Sequence, residues 1–257
     1  MPKLNIVKIG GAIIEQEAKL LPFLQGFAAL KGPKILVHGG GKRATAWADK
    51  LGIPVQMKDG RRVTDAATLE LITGLYAGQV NKNIVAHLQG MNCNALGLSG
   101  ADANAIQAVK RPVKAIDYGF VGDVKQVNNS WFKHLLDQNI SPVCCAITHD
   151  KNGQLFNTNA DTITAEIGKA LAQDFEVKIS YCFELPGVMK DINDSNSLIE
   201  KINQASYQQL LLNNAISAGM LPKLHNAFDA LQAGVKEVAI GATNMINQTI
   251  PYTSITL

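Results

Sequence analysis

Short apolar runs bounded by glycine, proline or polar residues alternate along this chain with segments in which apolar residues recur every three to four positions. The runs Asn5 to Ile9, Lys34 to His38, Ala95 to Leu98, Pro142 to Ile147, Val177 to Cys182 and Glu237 to Ile240 predict strands of a mostly parallel sheet. Between them Ala44, Trp47, Ala48 and Leu51 fall at helical spacing. So do Leu69, Ile72, Thr73, Tyr76, Val80 and Ile84, and again Leu224, Ala227, Phe228 and Leu231. This alternation predicts an α/β architecture with helices on both sheet faces and ligands bound beyond the carboxyl ends of the strands. There is no internal repeat, low-complexity tract or long linker. A polar stretch from Asp191 to Ser197 reads as an exposed turn or hairpin, and any boundary between lobes is compact, near Ala170 to Glu176.

Composition narrows the setting. A chain of 257 residues with 47% hydrophobic content can bury one large core or two tightly joined lobes. Its net charge of +3 is small and its basic residues are scattered, which argues against a nucleic-acid partner. No apolar run approaches the roughly 20 residues that span a bilayer, and the amino terminus lacks the order of a secretory signal, so residence in the cytoplasm away from membranes is the simplest expectation. Cys93, Cys144, Cys145 and Cys182 have neither disulfide-framework density nor metal-ligand spacing and read as buried reduced thiols.

The candidate chemistry lies where apolar strands run into glycines beside a lysine. Lys8 with Gly10 and Gly11, and His38-Gly39-Gly40-Gly41-Lys42, expose backbone amides that no side chain screens, close to fixed positive charge. Both suit phosphate or carboxylate oxygens; a plain turn with a solvated lysine is the alternative for the first. Neither the P-loop spacing nor the Gly-x-Gly-x-x-Gly spacing is present, which disfavours the standard nucleotide sites and a dehydrogenase. In Gly60-Arg61-Arg62-Val63-Thr64-Asp65 two arginines precede a helix start capped by Thr64 or Asp65. Arg62 either forks onto a substrate carboxylate or is simply solvated. Asn157-Thr158-Asn159-Ala160-Asp161 opens another helix, as caps or as ligand donors with an acceptor that orients lysines. Lys223, after Gly219-Met220-Leu221-Pro222, opposes the dipole of the last long helix and suggests an anionic partner.

In that order and over essentially the whole chain, Lys8-Ile9-Gly10-Gly11, His38-Gly39-Gly40-Gly41, Arg62-Val63-Thr64, Gly78-Gln79-Val80-Asn81-Lys82, Asn157 to Asp161 and Gly219 to Lys223 resemble the amino acid kinase family, most specifically its acylglutamate kinases. The resemblance implies a three-layer αβα sandwich with a mainly parallel eight-stranded central sheet. It implies a single domain of two lobes, residues 1–172 for the acylated amino acid and dimerisation and residues 173–257 for ATP with magnesium. It implies phosphoryl transfer from ATP to the side-chain carboxylate of N-acetyl-L-glutamate, a step of arginine biosynthesis. Lys8 and Lys223 would neutralise the transferring group and Asp161 would hold both lysines. Amides at Gly10, Gly11 and Gly40 would bind its oxygens, and Gly40, Gly41, Arg62 and Asn157 would hold the substrate. No protein-held metal is implied.

Departures fall in the nucleotide lobe. Phe183-Glu184-Leu185-Pro186-Gly187-Val188 replaces the usual Thr-Asp or Ser-Asp run, Ala218 replaces an aspartate, and Tyr252 to Ile255 stands where relatives carry glycine-threonine. Glu184, Gly187 and Ser217 are the positions left for nucleotide contacts. The chain opens almost directly on its first strand, whereas arginine-inhibited relatives carry an extra helix there, so an arginine-insensitive homodimer is expected. Two other expectations remain beside the acetyl substrate: an N-succinyl group or another amino acid kinase substrate, and a catalytically silent ligand-binding sensor.

Overall fold

The computed structural model describes residues 1–58, 61–194, 196–212, 220–247 and 250–257. In chain order the elements are β1 (Lys3–Ile9), α1 (Gly11–Glu15), α2 (Glu17–Ala29), β2 (Lys34–His38), α3 (Gly41–Lys50), β3 (Met57–Lys58), β4 (Arg61–Arg62), α4 (Ala66–Thr73), α5 (Asn81–Gly90) and β5 (Ala95–Leu98). Then come β6 (Ile106–Lys110), β7 (Gly122–Val127), α6 (Asn129–Asp137), β8 (Ser141–Cys144), β9 (Ile147–His149), β10 (Leu155–Asn157), α7 (Ala160–Leu171) and β11 (Glu176–Phe183). The last are β12 (Lys201–Ile202), α8 (Gln204–Leu212), α9 (Leu221–Gln232), β13 (Glu237–Ala242) and β14 (Thr253–Ile255).

An eight-stranded sheet in the order β12-β14-β13-β11-β1-β2-β8-β5 forms the centre, parallel throughout except between β13 and β14. Its inner strands are buried on both faces, as the unbroken apolar runs predict; β2 has no exposed residue. Even Lys34 in that strand is accounted for, because its Nζ donates to the carbonyls of Ala28 and Leu30 at 2.7 and 2.6 Å and so satisfies the end of α2. Connections from β1 to β2 and from β2 to β5 run one way across the sheet, and those through α6, α7 and α9 run back. With right-handed crossovers the two helix sets fall on opposite faces. Accordingly α2 packs with α5, and α7 packs with α6 and α9.

A second sheet, β10-β9-β6-β7, corrects one expectation. The run from Pro142 to Ile147 is not one strand: β8 ends at Cys144, and β9 starts at Ile147 in the other sheet. Both halves are buried, so the apolar pattern carries no mark of the switch. Of the polar stretch, residues 191–194 and Asn196 are exposed, and the Lys190 N–H donates to the Ser197 carbonyl at 2.9 Å. The main sheet also continues unbroken past Ala170 to Glu176, because β11 pairs with β1 along its length. All four cysteines are free and buried, and burial pushes the Cys145 and Cys182 thiols up to about 12, which makes them poor nucleophiles at neutral pH. Among the described residues no helix is long and apolar enough to cross a membrane.

Each helix that feeds a parallel strand runs antiparallel to it. The amino termini of α7, before β11, and of α9, before β13, therefore lie at the carboxyl edge of the sheet, where β1 ends. β11 and β1 run parallel, but the connections that leave them cross the sheet toward opposite edges, and at such a switch point neighbouring loops diverge and leave room for a ligand.

Candidate active site

Three elements converge at that edge. Lys8 is the next-to-last residue of β1, Asp161 the second of α7 and Lys223 the third of α9. The Lys8 Nζ lies 2.7 Å from Asp161 Oδ1, and the Lys223 Nζ bonds the other carboxylate oxygen. Asp161 is held in turn: the Asn159 side chain caps α7 by accepting from the Asp161 and Thr162 amides at 2.8 and 3.1 Å, and the Tyr181 hydroxyl donates to the Asp161 carbonyl at 3.2 Å. Burial alone would raise the Asp161 carboxyl, but the two ammonium groups more than offset it and lower the group from 3.8 to about 2. Lys223 is lowered by burial and by repulsion from Lys8, with Asp161 acting in the opposite sense. Two cations against one anion leave a positive charge in excess, on side chains still 12% and 18% exposed. That is a site for an anion.

Beside the cluster lies a cavity of about 390 Å³ lined by Gly41, Thr45, Arg62, Tyr76, Asn157 and Asn159, among others. Asn159 both lines this cavity and caps α7, so the cavity wall and Asp161 belong to one helix end. Arg62 is buried, and its Nη2 donates to the Gly41 carbonyl at 2.9 Å and to Thr45 Oγ1 at 2.8 Å. Its Nη1 is also buried yet has no partner among the described residues. An unmatched guanidinium nitrogen on a cavity wall fits a carboxylate. Asn157 is tied to the same wall, its amide donating to Thr64 Oγ1 at 3.0 Å.

The glycines differ in what they offer. The Gly10 N–H donates to the Cys182 carbonyl at 3.2 Å and extends the β1–β11 pairing, so it is not the open amide the sequence suggests. Gly11 and Gly40 N–H groups have no acceptor among the described residues. A Cβ at Gly11 would meet only ordinary contacts, so packing does not demand glycine there, whereas a Cβ at Gly40 would lie 2.7 Å from the Tyr76 ring. Gly41 has nothing within 4 Å of that position.

The nucleotide positions are not drawn together in the same way. Glu184 follows β11 at the same sheet edge, with its carboxylate 3.8 Å from Lys19, both half exposed. Gly187 is a packing glycine, since a Cβ there would fall 2.5 Å from Leu198 and Thr253 side-chain atoms. Ser217, with Gly60, Ala218 and Gly219, lies outside the described residues.

The sequence model of the amino acid kinase family matches residues 3–242. The chain belongs to that family. It is 54% identical over 241 residues to the acetylglutamate kinase of Cytophaga hutchinsonii, covering 93% of this chain and 91% of that one. It is 52% identical over 244 residues to the acetylglutamate kinase of Bacteroides thetaiotaomicron, covering 95% of each. The N-acetylglutamate synthase of Neisseria gonorrhoeae, solved with coenzyme A and N-acetyl-glutamate, shares the fold at a TM-score of 0.84 and 19% identity, covering 99% of this chain and 59% of that one.

In this member of the amino acid kinase family, four contributors escape a reading of motifs. Thr45 sits on an exposed helix face with no pattern to distinguish it. Tyr76 reads as one more apolar stripe residue, although it lines the cavity against Gly40. Asn159 reads as a cap, which it is, while also lining the cavity. Arg111 reaches the cavity from the second sheet, whose strands the apolar pattern does not reveal. If Arg62 forks onto a substrate carboxylate, Arg62→Lys should raise KM for the acyl amino acid about 10- to 100-fold with kcat changed far less. Steady-state kinetics with that substrate varied would show it, and an unchanged KM would remove the role.

Proposed function

We propose that this chain is an ATP-dependent acetylglutamate kinase, making N-acetyl-L-glutamyl 5-phosphate in arginine biosynthesis. The observation that carries the reading is the bridging of Lys8 and Lys223 by Asp161 at the sheet edge, beside a cavity with an unmatched arginine. The relatives named above support it. Residues 1–172 hold the acyl amino acid and residues 173–257 the ATP; the working unit is a cytoplasmic homodimer.

The chemistry follows from charge. A side-chain carboxylate, with an ordinary pKa of about 4.3, is ionised at neutral pH, so no general base is needed. A carboxylate oxygen attacks the γ-phosphorus of ATP, a new oxygen–phosphorus bond forms as the bond to the bridging oxygen breaks, and ADP leaves with that electron pair. The obstacle is repulsion between two anions. Lys8 and Lys223 reduce it, Asp161 keeps both ammonium groups in place, and the Gly11 and Gly40 amides take the remaining oxygens. Arg62 on the α-carboxylate, with Asn157, holds the acceptor so that its side-chain carboxylate is placed for in-line attack. Asp161 is engaged by both lysines, one at each carboxylate oxygen. Magnesium bound to the ATP phosphates would shield their charge during the transfer.

A second reading concerns the acyl group. Arg61 and Arg111 line both the substrate cavity and an adjoining one of about 530 Å³ that also contains Lys114. Arg111 is paired with Asp123, its Nε 3.0 Å from the carboxylate. Arg61 has no ion pair among the described residues. An acetyl methyl has no use for these cations, whereas a succinyl carboxylate does. An assay of ADP release over free glutamate, free aspartate, N-acetyl- and N-succinyl-L-glutamate should show turnover with acylated glutamate alone. A higher kcat/KM for the succinyl substrate would move the assignment to the second reading, and release with none would end the kinase reading.

A further inference from the structure

Behind the triple glycine lies a buried polar relay that the motif comparison leaves without a role. His38 ends β2 and is fully buried. Its Nδ1 lies 2.9 Å from the Gly39 carbonyl, and its Nε2 lies 3.0 Å from Asn81 Nδ2 on α5. The same Nδ2 donates to the Val143 carbonyl of β8 at 2.9 Å. Asn81 Oδ1 accepts from Lys82 Nζ at 3.2 Å, and that ammonium reaches the Gly97 carbonyl of β5 at 3.2 Å. The fit is close, since a Cβ at Gly97 would fall 1.9 Å from Asn81 Oδ1.

Hydrogen-bond logic settles the proton. The Val143 carbonyl only accepts, so the Asn81 atom facing it is the amide nitrogen. His38 Nε2 must then accept from Asn81, and Nδ1 carries the single ring proton and donates to Gly39. Burial favours the same neutral ring, lowering the imidazole from 6.5 to about 4, with the Gly39 bond opposing and the charge of Lys82 adding to the shift. A protonated ring would set a second N–H against the Asn81 donor.

The Gly39 carbonyl and the Gly40 N–H belong to one planar trans peptide, so they point in opposite directions. Holding the carbonyl on the buried ring directs the Gly40 N–H away from the core, where no described residue accepts from it. We propose that His38 and Asn81 are positioning residues for phosphoryl transfer, pinning the Gly39–Gly40 peptide so that the Gly40 amide is aimed in advance at the oxygens of the transferring group. The proposal rests on the kinase reading above. Glycines on both sides of that peptide make an external restraint necessary, because neither has a side chain to limit its rotation.

Two substitutions separate the halves of the relay. His38→Asn places an amide N–H near the position of Nδ1 and can keep the bond to Gly39. His38→Gln reaches Asn81 as Nε2 does but leaves the Gly39 carbonyl free. Measured by ADP release, His38→Gln should lower kcat about 10- to 100-fold, with KM for ATP within about twofold, and His38→Asn should recover most of the loss at a similar melting temperature. A wild-type kcat in His38→Gln, or equal losses in both variants, would overturn the proposal. Wild-type protein with no ADP release at all would end the kinase reading, a separate result that takes this inference with it. Should the variants fail to fold, nitrogen NMR on wild-type protein labelled at histidine, with the His38 ring assigned through its neighbours, decides: that ring should carry its proton on Nδ1 at neutral pH. A proton on Nε2 would overturn the relay.

Discussion

Replacing Lys8 or Lys223 by alanine is expected to lower kcat about a thousandfold while leaving a folded protein. A unit charge about 4 Å from a developing anion, at the effective dielectric of a partly buried site, contributes on the order of 4 kcal/mol. Each 1.36 kcal/mol is about a factor of ten in rate. Both lysines pair with Asp161, and either loss removes the excess positive charge, because Asp161 then neutralises the one that remains. Stability should fall far less than rate, since the carboxylate keeps one partner in each variant. ADP release under saturating substrates, with a thermal melt on the same samples, separates the two effects. A kcat within tenfold of wild type in either variant would refute the assigned role. A collapse of the melt would make the pair structural.

How much of this was legible in the chain depends on the kind of signal. Buried parallel strands announce themselves: Lys34–His38 is read to the residue, because every position is in the core and glycines follow. Helical stripes are equally plain where one face is apolar. The stripe through Leu69 and Ile84 is one helical run, yet residues Gly74–Val80 adopt a wider π turn that no periodicity at 3.6 residues can report. That turn sets Tyr76 against Gly40 and leads into Asn81 opposite His38, so the feature the pattern hides is the one that shapes the glycine loop. The lysine–aspartate cluster lies in the motifs, but its geometry comes from topology. Helix amino termini at the carboxyl edge bring together residues 8, 161 and 223. Gly10 shows the limit of motif reading, because a strand-end glycine can give its amide to the neighbouring strand. The second sheet was illegible because its short strands alternate weakly and two of them border turns.

Asp161→Asn tests the remaining part of the cluster and should damage both turnover and stability, with opposite dependences on pH. In the wild type the Asp161 carboxyl is lowered from 3.8 to about 2 on folding, so its contribution is fully present above about pH 4 and is lost as pH falls toward 2. Asparagine removes that counter-ion and leaves two buried ammonium groups facing each other. Breaking a buried pair in this way typically costs about 3–5 kcal/mol. The folded protein relieves the cost by releasing a proton from Lys223, which burial and Lys8 already hold below its ordinary value and which Asp161 no longer supports. The unfolded chain then binds more protons than the folded one, so the stability of the variant should rise with pH across the alkaline range below 10.5. Turnover should move the other way, because a neutral Lys223 no longer offsets charge on the transferring group, and the alkaline limb of its kcat profile should shift to lower pH than in wild type. Melting temperature and kcat measured in parallel from about pH 6 to 10 would show the divergence. Two curves that rise and fall together would mean that Asp161 supports the fold alone and does not hold the lysines for the reaction.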